Sequence, residues 1–160
     1  MKMNIGVISD THLYRVSDEF KAIYKKYLSE MDFILHAGDI CSLDVVEFMK
    51  NDNFHGVSGN MDPMEVKAKL PDKKIVMAGP YRIGLIHGWG SSEGLENRVL
   101  KEFTDVDIIV YGHSHRAFNY IKNGVLLFNP GTATGPSLKG GNSLGILELD
   151  EKINGRIVTL

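Results

Sequence analysis

Asp10-Thr11-His12, Gly38-Asp39, Gly59-Asn60, His87-Gly88 and Gly112-His113-Ser114-His115 follow one another down a chain of 160 residues. Each carries side chains that ligate metal ions, and each closes or directly follows a short apolar run that reads as a strand. Singly they say little. An Asp and a His at a strand end are as often a turn ahead of a capped helix, and His87-Gly88 alone is weaker still. His113 and His115 say more, because two imidazoles one residue apart seldom have a packing rationale. The ordered set supplies seven oxygen and imidazole donors: Asp10, His12, Asp39, Asn60, His87, His113 and His115. The reading places them on one edge of one sheet, outside the carboxyl ends of its strands. That number suits two divalent cations sharing a ligand, the equipment for metal-assisted hydrolysis of a phosphate ester.

Carboxylate, amide oxygen and imidazole together suit Mn²⁺, Fe, Zn²⁺ or Ni²⁺, with Mn²⁺ the first expectation. The absence of a Cys-x-x-Cys pattern argues against a structural zinc or an iron–sulfur cluster. A shared ligand must bridge, and a carboxylate can. Asp39 follows a central-looking strand, which makes it the natural bridge. The expected nucleophile is then a metal-bound hydroxide, with no serine expected in a Gly-x-Ser-x-Gly elbow.

The elements that must position these residues alternate in period. Asn4–Ser9, Phe33–His36 and Phe54–Ser58 read as buried strands. Between them, Ser17 can cap a helix whose Phe20, Ile23, Tyr24, Tyr27, Leu28 and Met31 share a face, and Ser42 can cap a second carrying Val45, Val46 and Met49. This βαβαβ rhythm argues for parallel pairing. Residues 63–73 are polar, with room for one helical turn. Lys74–Ala78 and Tyr81–Ile86 read as strands joined across Gly79-Pro80. Leu95, Val99 and Phe103 mark a third helix, and Ile108–Tyr111 a further strand. Phe118–Lys122 and Val125–Phe128 flank Asn123-Gly124, a type I′ hairpin signal. Leu144–Leu149 and Arg156–Leu160 flank a second Asn-Gly at Asn154-Gly155. Gly131 to Asn142 reads as a mobile surface loop.

Composition sets broad bounds. Hydrophobic content of 43% and charged content of 24% are ordinary for a globular domain, here read as one domain over residues 1–160. A net charge of -2 gives no pull toward a nucleic-acid polymer or an anionic membrane. The single cysteine, Cys41, cannot form an internal disulfide, so a reducing, cytoplasmic setting is expected. The apolar stretch near Met1 is too short for a signal segment, and nothing approaches the ~20 apolar residues of a membrane span.

Taken together, Ile8-Ser9-Asp10-Thr11-His12, His36-Ala37-Gly38-Asp39, Val57-Ser58-Gly59-Asn60-Met61-Asp62, Leu85-Ile86-His87-Gly88, Tyr111-Gly112-His113-Ser114-His115 and Asn129-Pro130-Gly131-Thr132 resemble the calcineurin-like metallophosphoesterases. Within that superfamily the chain is similar to the small phosphodiesterases of bacteria and archaea, relatives of the retromer subunit of the same fold. The resemblance runs from Asn4 to about Gly131. It implies an α/β fold, a four-layer αββα sandwich of two mixed sheets flanked by helices. It also implies a dinuclear centre, one metal on Asp10, His12, Asp39 and His115, the other on Asp39, Asn60, His87 and His113. The chain departs from the larger phosphatases at Met61, where they carry a histidine that acts on the leaving group; no catalytic acid is assigned. It also has Pro136-Ser137 where close relatives often carry Pro-Arg, and Lys139 could supply charge to the phosphate there.

The expected activity is therefore a divalent-metal-dependent phosphodiesterase acting on a small or nucleotide-derived diester. The alternatives are a phosphomonoesterase or pyrophosphohydrolase, and a non-catalytic interaction scaffold of the same fold. A homodimer is the assembly that small family members suggest. Among nearby groups, His36 is read as orienting Asp39 or a bound water rather than binding metal, and Asp62 as holding a neighbouring ligand or a turn rather than reacting. Cys41 reads as a small buried apolar group, His55 as an ordinary strand-start histidine, and Arg116 and the Lys21, Lys25, Lys26 helix face as solvated.

Overall fold

Two five-stranded sheets face each other in the computed structural model, which describes residues 1–51, 53–137 and 140–160. The first half alternates strand and helix: β1 (Met3–Ile8), α1 (Asp18–Ile23), β2 (Phe33–His36), α2 (Leu43–Met49), β3 (Phe54–Gly56) and α3 (Met64–Lys67). The second half is β4 (Lys73–Ala78), β5 (Tyr81–Ile86), α4 (Leu95–Leu100), β6 (Ile108–Val110), β7 (Ala117–Lys122), β8 (Val125–Pro130), β9 (Ser143–Leu149) and β10 (Ile153–Thr159). One sheet runs β10-β9-β1-β2-β3, the other β4-β5-β6-β8-β7. The βαβαβ reading holds, since β1, β2 and β3 pair in parallel, Ile5 opposite Phe33 and Ile34 opposite Phe54.

Strand alternation builds the layers. Ile5 and Val7 of β1 join Leu35, Leu85, Val110 and Phe128 in the core between the sheets. Ile8 and Ile34 point the other way, under Phe20, Val45, Val46 and Met49 of α1 and α2. Ile109, Tyr111 and Leu127 face outward from the second sheet beneath Leu95 and Val99 of α4. Each such side chain contributes about 1.5–3 kcal/mol by leaving water. The four layers expected from the resemblance are these: helices, sheet, sheet, helix.

Helix starts follow the predicted caps. The Ser17 hydroxyl accepts from the Phe20 N–H at 3.1 Å, and that of Ser42 from Val45 N–H at 3.4 Å. The face predicted to run on to Met31 changes character, because after Ile23 the helix widens into a π turn over Tyr24–Leu28. Asn123 and Gly124 both have positive φ, 52° and 79°, as a type I′ turn requires. Asn154-Gly155 is not a turn. It lies inside β10, and the hairpin closes at residues 150–152, where Asp150 N–H donates to the Lys152 carbonyl. Gly155 is needed for space instead, since a Cβ there would stand 2.9 Å from the Phe128 ring. The predicted surface loop also divides. Gly131, Thr132 and Ala133 are buried, and Ala133 N–H donates to the Ser9 carbonyl. Lys139 lies outside the described residues. Among those described, no helix is long and apolar enough to cross a membrane.

Candidate metal centre

The seven predicted donors converge, but not on one sheet. Asp10, His12, Asp39 and Asn60 follow β1, β2 and β3 of the first sheet, whereas His87, His113 and His115 follow β5 and β6 of the second. The expectation of a single rim is corrected: the site is the seam between two rims. A strand ends where its polar residues begin, and the βα rhythm repeats in both halves, so sequence alone could not assign the rims to separate sheets.

The loops that form the seam are laced together. Asp10, His12 and Leu13 N–H groups donate to the Gly38, Asp39 and Ile40 carbonyls, which prolongs the β1–β2 pairing past the strand ends. Within the second rim Gly112 N–H donates to the His87 carbonyl, and across the seam His113 N–H donates to Asp10 Oδ2 at 3.0 Å. The approach is close enough that a Cβ on Gly112 would lie 2.6 Å from Asp10 Oδ2. Behind it, Thr132 and Thr134 hydroxyls donate to the Asp10 and Thr11 carbonyls. Asn129 Nδ2 donates to the Gly112 carbonyl at 3.0 Å. These roles of Asn129, Thr132 and Thr134 were not legible in sequence, although Asn129-Pro130-Gly131-Thr132 stood out as a motif.

Each carboxylate has one oxygen committed to the protein and one aimed inward. Asp10 Oδ2 accepts from Ser9 Oγ and His113 N–H, and Asp39 Oδ1 accepts from Met61 N–H at 2.8 Å. Asp10 Oδ1 is left without a hydrogen-bond partner, although fully buried. It lies 3.3, 3.7 and 3.9 Å from Nε2 of His115, His12 and His87. Asp39 Oδ2 lies 3.6 Å from His12 Nε2 and 3.2 Å from His87 Nε2. Two three-residue groups have metal-binding spacing, Asp10 with His12 and His115, and Asp10 with Asp39 and His87. The middle strand of the first sheet is β1, which leads into Asp10, and Asp39 follows its neighbour β2.

The imidazoles are held with ligating nitrogens inward. His87 Nδ1 donates to the Ala37 carbonyl at 2.7 Å, His115 Nδ1 to the Pro136 carbonyl at 2.6 Å, and His113 Nε2 to the Gly90 carbonyl at 2.7 Å. A ring nitrogen that donates leaves the other as a lone pair. The free nitrogens then face acceptors: His87 Nε2 is 3.0 Å and His113 Nδ1 3.2 Å from Asn60 Oδ1, and His12 Nε2 is 3.1 Å from His115 Nε2. Facing lone pairs around an orphaned carboxylate oxygen repel one another unless a cation or protons stand between them. The residues therefore fit divalent metal ions.

Proton affinities shift the same way. Burial alone would raise Asp10, but His115, His12 and His87 outweigh it and hold it well below the carboxylate range. Burial opposes charge on His87, yet the Asp39 carboxylate raises it above the imidazole range; the Asp10 carboxylate does the same for His115. Folded-state values above about 6.5 add stability that is complete below that pH and lost as pH rises through them. Metal binding requires those protons to leave. The rise in melting temperature on adding Mn²⁺ to chelator-stripped protein is thus expected to grow between about pH 6 and about pH 8. A rise that stays constant over that range would mean the imidazoles are not ligands.

The outer residues act on backbone. Asp62, 4% exposed, accepts from Asp39 and Gly59 N–H through Oδ2 and from Cys41 N–H through Oδ1. His36 reaches Gly38 and Thr11 rather than the Asp39 carboxylate: its Nδ1 accepts from Gly38 N–H, and Nε2 pairs with the Thr11 hydroxyl. Complete burial lowers His36 to about 3, so it stays neutral. Such bracing is needed because Asp10, His12, Asp39, Cys41, His113 and His115 all have positive φ, between 47° and 77°. That conformation costs a non-glycine residue about 1–2 kcal/mol. Cys41 is buried as expected, and burial pushes its thiol up to about 12.

One sequence expectation fails in its letters. Gly90-Ser91-Ser92-Glu93-Gly94 does match Gly-x-Ser-x-Gly. Ser92 is exposed, however, and among the described residues its hydroxyl meets no imidazole, so it has no base to activate it.

Known proteins resemble this chain over nearly its whole length. The Calcineurin-like phosphoesterase superfamily domain matches residues 3–152. A Methanocaldococcus jannaschii protein named "Probable metallophosphoesterase" is 34% identical over 99% of this chain and 82% of its own length. Among solved structures, an archaeal phosphodiesterase superposes with a TM-score of 0.75 at 28% identity, covering 99% of this chain and 100% of the other. Vacuolar Protein Sorting 29 from Cryptosporidium parvum does so with a TM-score of 0.75 at 26% identity, covering 98% and 97%.

Proposed function

This chain belongs to the calcineurin-like phosphoesterase superfamily, and from that premise we propose that it is a divalent-metal-dependent phosphodiesterase acting on a small or nucleotide-derived diester. The observation that carries the reading is the orphaned Asp10 Oδ1, buried among three Nε2 atoms that do not donate to it. Asp10, His12, Asp39 and His115 would hold one cation, and Asp39, Asn60, His87 and His113 the other. Asp39 would be the shared ligand, its Oδ2 facing His12 Nε2 at 3.6 Å and His87 Nε2 at 3.2 Å, one imidazole from each set. Two divalent cations bound there supply charge neutralisation for the phosphate and a lowered pKa for water.

The protein's own contribution is placement. Carbonyls of Ala37, Pro136 and Gly90 fix three imidazoles, and Asp62 fixes the loop carrying Asp39. Asn60 is exposed and His113 partly so, which leaves them nearest an incoming phosphate. Met61, 57% exposed, stands where a leaving-group acid would be needed. Good leaving groups therefore suit this site best. Mn²⁺ is the metal proposed, with Fe, Ni²⁺ and Zn²⁺ as alternatives. The substrate proposed is small, the setting cytoplasmic and the assembly a homodimer.

The test is hydrolysis of bis-p-nitrophenyl phosphate by chelator-stripped protein titrated with Mn²⁺, beside p-nitrophenyl phosphate. The expected result is a saturable, metal-dependent rate that is higher on the diester. A faster monoester rate would make it a phosphomonoesterase. Two bound metals without turnover on either would favour a scaffold, the reading that similarity to the vacuolar sorting protein supports.

A further inference from the structure

Trp89, the single tryptophan of the chain, is 44% exposed two residues from the ligand His87. A scattered exposed apolar side chain needs no explanation, but this one lines a cleft of about 440 Å³ that opens from Asn60 and His87. Its other charged or hydroxyl lining is Ser58, Lys67, Asp72, Lys73 and Glu102. Most of those polar groups are already satisfied. Lys73 Nζ pairs with Glu102 at 2.8 Å, and Asp72 accepts from the Ser58 hydroxyl at 3.1 Å. Among the described residues, the Lys67 ammonium has no ion-pair partner, and the Trp89 indole has no ring or hydrogen-bond partner. The cleft therefore presents one uncommitted cation and one uncommitted aromatic ring beside the metal centre.

The backbone of the segment carrying Trp89 is tied down from two sides. Arg98 of α4 donates to the Trp89 carbonyl at 2.9 Å, to the Glu93 carbonyl at 3.0 Å and to the Ser91 carbonyl. From the other side, His113 donates to the Gly90 carbonyl. A backbone tied down beforehand leaves only the side chain's own freedom to be lost when a ligand stacks on the ring. Planar heteroaromatic rings stack on indole whatever their hydrogen-bonding edge.

On the proposed phosphodiesterase reading, we infer that this cleft takes the nucleoside moiety of the substrate, its base stacked on Trp89 and its acceptor edge toward Lys67. The substrate class is then a nucleoside-containing phosphodiester.

Because Trp89 is the only tryptophan, its fluorescence reports the cleft without any need for turnover. Adenosine 5′-monophosphate is expected to quench that emission saturably in the Mn²⁺-loaded protein, while ribose 5-phosphate leaves it unchanged and competes at least about tenfold more weakly. Trp89→Ala should weaken inhibition of bis-p-nitrophenyl phosphate hydrolysis by the nucleotide about tenfold, and Trp89→Phe should restore most of it. Emission insensitive to the nucleotide, or equal competition by the sugar phosphate, would overturn the inference and leave the phosphodiesterase reading standing. Saturable, base-dependent quenching in a protein that hydrolyses no diester would support the cleft assignment and remove the diesterase.

Discussion

Asp39→Ala is expected to lower metal-dependent diester hydrolysis by about a thousandfold or more, well beyond the ten- to hundredfold loss typical when a group supporting a ligand is removed. The reason is position. Asp39 Oδ2 lies within 3.6 Å of His12 Nε2 and 3.2 Å of His87 Nε2, one from each metal-binding group. Removing it takes away one of the two carboxylates and the proposed shared donor. Alanine also sits poorly at φ 56°, so loss of activity could be confused with loss of fold. Asp39→Asn separates the two, because asparagine tolerates that backbone and keeps an oxygen for the Met61 N–H. The asparagine variant should melt near wild type when metal-free, yet bind fewer than two Mn²⁺ and lose nearly all turnover. Wild-type metal content and rate in either variant would defeat the proposed centre.

Asp62→Ala should be the most destabilising single change at the site. It would leave the N–H groups of Asp39, Gly59 and Cys41 without their acceptor in a buried place. Each buried orphan costs about 1–3 kcal/mol. Even with water entering, a loss of about 3 kcal/mol is expected, or about 10 °C in melting temperature for a domain of this size. Because two of those N–H groups lie in the loops that aim Asp39 and Asn60, Mn²⁺ affinity should also fall by about 10- to 100-fold. A drop in melting temperature with unchanged metal affinity would give Asp62 a purely structural role. Unchanged values of both would contradict the hydrogen-bond geometry.

The donor set itself was open to reading in the sequence, because a ligand must be a particular chemical type at a strand end. Both properties are local. Strand and helix identities were similarly local: the Ser17 and Ser42 caps, the Asn123-Gly124 turn and the parallel β1–β3 unit stand as expected. Asn154-Gly155 shows the limit of that reasoning. The same dipeptide sits mid-strand because β10 crosses Phe128, a contact between residues distant in the chain.

What only the tertiary structure decided is how the donors are aimed. That the site straddles two sheets depends on which strands pair, and a repeated strand–helix period is silent about pairing across the midpoint of the chain. That each carboxylate keeps one oxygen free depends on partners 22 and 103 residues away, Met61 for Asp39 and His113 for Asp10. That the ligands hold positive φ depends on Asp62, Thr132 and neighbouring carbonyls bracing a backbone which, left to itself, would relax. Residue types along the chain determined what this site can bind; the packing of two sheets against each other determined where charge, lone pair and open cleft meet.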